Sequence, residues 1–377
     1  MEKLVFERSP APTVGIEIEL ALVDARTMAL KSAIEPILSE LPPGYEGIVK
    51  PELMQCFLEI YTGICETIAQ AEEDLREKIA VVEDTTDRLG LRLYWTATHP
   101  FSRWQDQEQT SNDRYSRLLS ILQDMGRQLV TFGLHVHVGV DTGDKAVMIS
   151  DRIMRHLPML LALSCNSPWW NNRVSGLQSH RSKIMEGLPT AGLPPLMRNW
   201  SEYVWLINHL IETGFINSIR DIWWDVRPHH NFGTVEVRVC DMPGQLDDVL
   251  AIASLVQCLV YALSEEIDQG TYQHDSHPML VRQNKWRASR YGLEGRLVDS
   301  YTFQARSARE AATDLVRRLE PTAKHLDCLP YLRRVQQIAN GPTWADRQLQ
   351  SLSKSRDPRE TVREMISLSR ITAERPA

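Results

Sequence analysis

Two glutamates in the stretch TVGIEIELAL lie on one side of a predicted strand. Because side chains alternate along a strand, Glu17 and Glu19 project from one face and the aliphatic residues between Val14 and Leu22 line the other. Two carboxylates at neighbouring positions of one face repel each other unless a cation lies between them. The stretch therefore predicts a bound cation or a cationic partner at this face.

The same alternation of aliphatic and polar residues recurs in the segments VTFGLHVHVGV, TVEVRVC and DIWWDVRP. An antiparallel sheet with one solvated face would also alternate, but lysine would then be common on the polar side, and these faces carry none. Because carboxylates and imidazoles are usual metal ligands, we favour a site over a solvated face. The predicted polar faces carry His135 and His137; Thr234, Glu236, Arg238 and Cys240; and Asp221, Trp223, Asp225 and Arg227.

A further pair of glutamates, Glu52 and Glu59, lies in the segment KPELMQCFLEIYTG. Their spacing of seven residues has the wrong parity for one regular strand to present both on the same face. Either a bulge intervenes, or Glu52 belongs to a turn that follows Pro51. The pair alone does not define a site.

The chemistry of these side chains indicates which ligand they suit. Carboxylates and a histidine favour hard divalent cations, so we expect Mg²⁺ or Mn²⁺, and more than one ion. A structural zinc site would need cysteines, which lie elsewhere in the chain. Arg227 and Arg238 on the same surface suit bidentate contacts with phosphate. Metal, phosphate and arginine together predict phosphoryl chemistry, although the chain lacks a glycine-rich phosphate loop.

These segments must be held by a sheet with helices around it. Strand-like patterns alternate irregularly with helical ones, which favours an α+β fold around an antiparallel sheet. We find no linker or repeat, and therefore predict one domain over 1–377, with a strand-rich core at about 13–241 and a helical part at about 245–377. Strands are predicted at 13–23, 53–61, 92–98, 130–140, 221–227 and 234–240, and helices at 67–89, 144–163, 201–213, 245–267 and from 306 onward.

Composition narrows the class of protein. The net charge of −7 argues against binding nucleic acid by overall charge. The N-terminus lacks an apolar signal-peptide core, and the apolar run 250–263 is too short to span a bilayer, so we expect a buried helix there. The six cysteines form no CxxC pair and are expected to be buried, reduced thiols. We therefore expect a cytoplasmic protein without a membrane partner, in which the apolar 245–263 stretch leaves room for a homodimer.

The motifs GIEIEL, THPFSRW, FGLHVHVGV, GLPTAG, IRDIWWDVRPH and GTVEVRVCD occur in order between about residues 13 and 300. In this the chain resembles the bacterial carboxylate–amine ligases related to glutamate–cysteine ligase. The resemblance implies a fold like that of glutamine synthetase, in which a curved antiparallel sheet of about six strands forms a funnel with helices outside. It also implies a two-step reaction: ATP phosphorylates a carboxylate, and an amine then displaces phosphate to give an amide.

The resemblance assigns roles to individual residues. One metal would be held by Glu19, Glu52 and Glu59, and a second, nearer the ATP phosphates, by Glu17, His135 and Glu236. Arg238 would stabilise the transferring phosphoryl group, with Arg227 as a second catalytic arginine. The order of His135 before His137 as metal ligand comes from the family more than from the residues. Contacts with ATP or substrate are expected from His137, Arg181, Asn284, Arg287 and Arg290.

Several of these assignments have a structural alternative. Arg227, Arg181, His99 and Arg103 could equally form ion pairs, and Asn284, Arg287 and Arg290 could belong to a capping segment with a basic surface. Tyr61 and His180 replace the asparagine and tyrosine usual in the family, which bears on the amino-acid pocket. The loop 187–195 is the segment that we expect to close over the site.

The leading hypothesis is an ATP-dependent ligase that uses glutamate as carboxylate donor and cysteine or another amine as acceptor. A metal-dependent hydrolase, with carboxylate-bound Mn²⁺ activating water, is the alternative from another enzyme class, and Arg238 counts against it. A non-catalytic relative that binds metal or nucleotide is the third hypothesis.

Overall fold

The computed structural model describes residues 4–45, 47–271 and 277–372, so the predicted domain ends 1–3 and 373–377 lie outside the described residues. The strands are β1 (Val14–Asp24), β2 (Val49–Pro51), β3 (Phe57–Tyr61), β4 (Leu91–Tyr94), β5 (Gly133–Gly139), β6 (Trp169–Trp170), β7 (Arg173–Val174), β8 (Ala191–Gly192), β9 (Trp223–Trp224), β10 (Val226–His229), β11 (Thr234–Asp241), β12 (Arg296–Val298) and β13 (Ala305–Ser307).

Most helices follow one another in groups between the strands, and four of them end the described part of the chain. They are α1 (Ile34–Glu40), α2 (Ile68–Arg88), α3 (Asp113–Leu122), α4 (Asp124–Arg127), α5 (Gly143–Ile153), α6 (Leu157–Ser164), α7 (Arg181–Glu186), α8 (Trp200–Glu212), α9 (Leu246–Asp268), α10 (Pro278–Tyr291), α11 (Ala308–His325), α12 (Leu329–Asn340), α13 (Trp344–Ser355) and α14 (Pro358–Ser369). Short 3₁₀ turns lie at Trp104–Asp106, Met154–His156, Ile219–Asp221 and Gly292–Glu294.

One antiparallel sheet organises the molecule, in the strand order β10-β11-β5-β1-β3-β2, with β4 also paired to β1. Strand β1 is the centre, because its first half pairs with β5, its middle with β3 and its last residues with β4. The aliphatic residues Ile16, Ile18 and Leu20 of this strand are fully buried, as their alternation requires. The predicted α+β class with an antiparallel sheet is confirmed.

Apolar helices cover the aliphatic side of the sheet. Helix α6 has the sequence LPMLLALS, is buried along its whole length and packs on β11. Helix α9 is long and apolar enough to cross a membrane, but 83% of its most apolar window is buried inside the protein. It packs against β5 and against α2, α5, α11 and α12, so it is a core helix and the predicted buried helix is confirmed.

The C-terminal helices α11–α14 belong to the same core as the sheet, since one cluster of buried apolar side chains runs from Val14 to Ile366. A polar link joins them as well. Gln348 of α13 is fully buried, accepts hydrogen bonds from Tyr94 (3.1 Å) and Trp169 (2.6 Å), and donates one to Asn166 (2.6 Å). The helical pattern predicted from 306 onward is confirmed for 308–369, between short connections.

Some predicted element boundaries are wrong. The strand predicted at 92–98 ends at Tyr94, because the following residues bond to the segment around Asn166 instead of to the sheet. The helix predicted at 144–163 is interrupted before α6, where Pro158 lacks the N–H that a continuous helix would use. The strand predicted at 53–61 is shorter, because only β3 forms there. The strand predicted at 221–227 is divided into β9, which pairs with β8, and the start of β10, which belongs to the large sheet.

Strand β11 contains an irregularity that changes the predicted face of Cys240. The pairing of β11 with β5 shifts register between Val237 and Cys240, as an inserted residue does in a β-bulge. After such an insertion the alternation reverses, and the Cys240 thiol contacts the carbonyl of Leu160 in α6 at 4.0 Å. The prediction that Cys240 shares the polar face with Glu236 and Arg238 is therefore wrong. All six cysteines are buried free thiols, as expected.

The link through Gln348 gives a test of whether the C-terminal helices unfold together with the sheet. We expect Gln348→Ala to lower the free energy of unfolding by roughly 2–4 kcal/mol, because several buried polar groups lose their partner. Denaturant unfolding followed by circular dichroism and tryptophan fluorescence measures this. The exposed neighbour Gln350→Ala is the matched control and should change stability little. Equal stability of the two variants would contradict the structural role of Gln348.

Candidate active site

A row of charged side chains crosses five adjacent strands on the face opposite the aliphatic helices. The register sets this row: Arg227 of β10 lies opposite Glu236 of β11, and Glu236 lies opposite His137 of β5. On the other side of β5, the cross-strand partners are Glu17 with His135 and Glu19 with Glu59. Residues far apart in the sequence are therefore neighbours because the strands pair in this register.

The side chains at the centre of this row are in direct contact. The Glu17 carboxylate lies 3.1 Å from Nδ1 of His135 and 3.3 Å from Nε2 of His137. The same Nε2 is 3.8 Å from Glu236, while Nδ1 of His137 bonds to the Thr234 hydroxyl at 2.9 Å. Glu17 therefore lies between the two histidines, and either ring is close enough to bind a metal ion together with the Glu17 carboxylate.

Two groups of metal-ligand atoms occur among the residues that the structure describes. Glu17, Glu59 and His135 form the first, and Glu17, His137 and Glu236 the second, with the candidate atoms of each group within 4.8 Å of one another. Carboxylate oxygens with one imidazole suit a hard divalent cation such as Mg²⁺ or Mn²⁺, so the donor set fits the expected metal. Glu17 belongs to both groups, a division that differs from the one the resemblance implies.

Glu52 lies directly after Pro51, outside β3, which answers the parity question in favour of a turn. Burial and the neighbouring Glu19 carboxylate raise the pKa of Glu52 to about 7. Burial, followed by Glu17 and Glu52, raises the pKa of Glu59 well above its usual range. The backbone N–H of Gly133 donates to Glu19. At this end of the row, burial and neighbouring carboxylates favour the protonated forms of Glu52 and Glu59 in the metal-free protein.

The other end of the row is neutralised by arginine. Burial opposes ionisation of Glu236, but Arg227 and Arg238 outweigh it and hold its pKa well below the usual range. Burial likewise opposes ionisation of Glu17, and there His137 and His135 outweigh it. The pKa of His137 is raised, since Glu236 and Glu17 offset its burial, whereas burial and Arg238 lower the pKa of His135.

The two predicted catalytic arginines are held differently. Arg227 donates from Nε to Glu236 at 2.6 Å and from Nη1 to the carbonyls of Ile219 and Ile222, so its donors are used within the protein. Arg238 also donates to Glu236, and the same nitrogen lies 3.5 Å from Nδ1 of His135. Arg238 thus stands between the two groups of ligand atoms.

Arg181 lies at the same face, over a glycine. A Cβ at Gly133 would fall 2.1 Å from the Arg181 guanidinium, so only glycine leaves room for that side chain. Arg181 is buried, reaches the carbonyl of Arg238 at 3.4 Å and leaves its Nε without a hydrogen-bond partner. A small cavity beside it is lined by Arg181, Ser182, Met185, Trp223, Asp225, Arg238 and Val239.

The structure places three other predicted contact residues in α10, against β12 and away from the row. Asn284 exchanges two hydrogen bonds of 2.8 Å with the backbone of Val298. Arg287 donates to the carbonyl of Arg296 at 3.1 Å, and Arg290 is exposed, with its guanidinium over the ring of Tyr291. The structure does not bring these side chains together with the carboxylates.

His99 and Arg103 have local structural partners. His99 is buried, accepts from the N–H of Ser102 at 3.0 Å and bonds to the carbonyl of Met28 at 2.9 Å; burial lowers its pKa to about 3. Arg103 forms an exposed ion pair with Asp106. Both residues are therefore bonded to neighbouring parts of the protein, as the structural alternative to a substrate contact predicted.

The structure also shows the surroundings of the two residues that differ from the family pattern, and those of the loop that we expect to close. Tyr61 pairs across from Glu17 and has the ammonium of Lys50 over its ring at 3.9 Å, whereas His180 stacks on Trp170. The loop 187–195 is tied to the 223–225 segment, since its backbone accepts from the N–H groups of Trp223 (2.9 Å) and Asp225 (2.7 Å). Its closure stays a prediction.

The sequence analysis did not identify one buried charged residue beside the small cavity. Lys285 is buried, and its ammonium lies 2.8 Å from Glu186 and also contacts Asp225, which lines the small cavity. The signal was present, because Val281, Lys285 and Ala288 follow the i, i+4, i+7 spacing of a buried helix face. The contact face that we predicted for α10 comprised Asn284, Arg287 and Arg290 and did not include Lys285.

Known proteins are similar to this chain over most of its length. The family model described as glutamate-cysteine ligase family 2 matches residues 13–367. A putative glutamate–cysteine ligase 2 of Gloeobacter violaceus is 41% identical over 353 residues, which cover 93% of this chain and 95% of the relative. A protein of the same description from Mycobacterium ulcerans is 37% identical, covering 89% of this chain and 85% of its own.

Solved structures share the fold at low identity. A glutamate–cysteine ligase of Francisella tularensis, solved in complex with AMP, has a TM-score of 0.70 at 14% identity and covers 96% of this chain and 89% of its own. A bifunctional glutathione synthetase of Pasteurella multocida also has a TM-score of 0.70, at 13% identity, covering 95% of this chain and 52% of its own. The match over nearly the whole length, together with the row of carboxylates, histidines and arginines, shows that the chain belongs to glutamate–cysteine ligase family 2.

Proposed function

We propose that this protein is an ATP-dependent carboxylate–amine ligase that activates a carboxylate as an acyl phosphate and transfers it to an amine. The observation that carries the proposal is the position of Arg238, which touches both Glu236 and His135 between two groups of metal-ligand atoms. A guanidinium at that point suits the charge of a transferring phosphoryl group. Arg238 counts against the alternative of a hydrolase in which carboxylate-bound Mn²⁺ activates water, because activating water does not itself need an arginine beside the metal ligands.

The carboxylates and His135 fit the metal role. Glu19, Glu52 and Glu59 would hold one divalent ion, and Glu17, with His135 and Glu236, a second. When bound, Mg²⁺ or Mn²⁺ would neutralise phosphate charge and hold the reacting groups in line. A ligand needs a free lone pair, and the lowered pKa of His135 supports it over His137, whose pKa is raised. His137 then faces the nucleotide side.

The two arginines take different parts. Arg238 is the catalytic residue, because one of its nitrogens reaches both His135 and Glu236, which with Glu17 would hold the metal nearer the phosphates, and it would meet the phosphoryl oxygens there. Arg227 is a positioning residue, since its donors are spent on Glu236 and on backbone carbonyls. Arg227 keeps Glu236 ionised and oriented.

The substrates follow from charge and family. The family name supports glutamate as carboxylate donor and cysteine or another amine as acceptor. The buried guanidinium of Arg181, whose Nε has no hydrogen-bond partner, suits a substrate carboxylate. Two free amino acids in the cytoplasm, rather than nucleic acid or membrane, are the partners that this arrangement favours.

The reaction itself is the first test. We expect ADP release from Mg·ATP to require both an amino-acid carboxylate and an amine, and to fall at least about 100-fold in Arg238→Ala and in Glu17→Gln, because transition-state charge loses its partner. A coupled ADP assay over a panel of amino acids and amines measures this.

An exposed arginine provides the matched control for that assay. Arg220→Ala removes the same charge from a position on the surface and should leave the rate unchanged. Mn²⁺ binding without ATP consumption by any substrate pair would overturn the ligase in favour of the hydrolase or of a non-catalytic binder.

The raised pKa of Glu52 predicts how pH affects the metal-free protein. Because its pKa is about 7 in the folded state, above the ordinary value, the proton stabilises the fold at low pH. That stability is lost as pH rises from about 4.5 through about 7. Metal-free Glu52→Gln should therefore melt higher than the wild type at pH 8, by on the order of 2 °C, and equally at pH 5.

Divalent ions should reverse this order. Mn²⁺ is expected to raise the melting temperature of the wild type more at pH 8 than at pH 5, and that of Glu52→Gln less, because the carboxylate must be ionised to bind. The exposed Glu212→Gln is the control and should behave like the wild type. An equal Mn²⁺ shift in Glu52→Gln and wild type would exclude Glu52 as a ligand.

A further inference from the structure

An exposed aromatic ring lies at the rim of the charged row. Phe232, in the turn between β10 and β11, has 59% of its surface exposed. Its ring stacks on His229 at 4.2 Å between centroids and 14° between planes, and it meets the ring of His137 edge-on at 5.6 Å. A scattered surface phenylalanine needs no explanation, but this one contacts the histidine that faces Glu17 and Glu236.

The turn that carries Phe232 is held in place from two sides. The N–H of Glu7 donates to the carbonyl of His230 at 2.8 Å, and the N–H of Val140 donates to the carbonyl of Gly233 at 2.9 Å. Gly233 has a φ of +63°, and a Cβ there would fall 2.0 Å from the Glu7 carbonyl oxygen, so glycine is required. The ring of Phe232 is therefore presented by a fixed turn.

We infer that Phe232 is a stacking platform for the base of the nucleotide, with the phosphates reaching inward past His137 to Glu17 and Glu236. His229 supports one face of the phenyl ring, and the exposed face receives the base. The ribose bridges the rim and the charged row. This inference rests on the proposed function, because it takes the phosphate end of the ligand from it.

Stacking selects a flat aromatic base and not its identity, since every nucleobase has a π-face. The Phe232 ring therefore contributes to the affinity for the base of the ligand and does not contribute to the affinity for its phosphates. Inorganic tripolyphosphate is the corresponding ligand without a base. The difference in affinity between the two ligands isolates the contribution of the ring.

The experiment is a calorimetric titration of Mg·ADP and of Mg·tripolyphosphate into the intact wild-type protein and three variants. Phe232→Ala should weaken Mg·ADP by about 5- to 100-fold, the value of one stacked base, and leave Mg·tripolyphosphate unchanged. Phe232→Trp keeps a larger flat ring and should restore Mg·ADP binding. Phe215→Ala, at an exposed phenylalanine after α8, is the matched control and should change neither ligand.

The outcomes separate this inference from the proposed function. If Phe232→Ala binds Mg·ADP like the wild type, or weakens both ligands equally, the platform is overturned and the ligase stands. If the wild type binds tripolyphosphate but not Mg·ADP, the base has no site and the platform is again overturned. If the wild type binds neither ligand, the proposed function falls, and the platform falls with it.

Discussion

The whole site depends on one electrostatic constraint: carboxylates removed from water must be matched by positive charge. Glu236 is matched from within the chain by Arg227 and Arg238, and its pKa is low. Burial and then the neighbouring carboxylates raise the pKa values of Glu52 and Glu59 at the other end of the row. The row therefore has one end that arginines neutralise and one end that is acidic. A cation would be stabilised most at the acidic end, where the carboxyls have the fewest positive partners.

The sheet can hold these charged side chains close together because it is rigid where they meet. The central strand β1 is paired along both edges, and the aliphatic side of the sheet is covered by buried helices such as α6 and α9. A packed core of this kind resists small displacements, so charged groups can be held close together without relaxing apart. Gly133 adds a close approach that a larger residue would block, which lets Arg181 lie over the strand.

A second buried ion pair ties the rim of the site to the outer helices. Lys285 of α10 contacts Asp225, between β9 and β10, and Glu186 at the end of α7. The small cavity between Arg181 and Trp223 is thus walled by segments that converge on one ammonium. The charged row is set by strand register, whereas the walls of this cavity combine residues of β9 and β11 with residues of α7 and of the segment before β10.

The alternation of side chains was sufficient to predict the antiparallel sheet, the shared face of Glu17 and Glu19, and the buried character of α9, because those features depend on period and hydrophobicity alone. Other features needed the tertiary structure. The bulge that turns Cys240 toward α6 arises from pairing with β5, and the parity of Glu52 is settled by a turn. The burial of Lys285 depends on partners far away in the sequence. Local periodicity cannot report register, bulges or distant ion pairs, since each of these is a property of two segments at once.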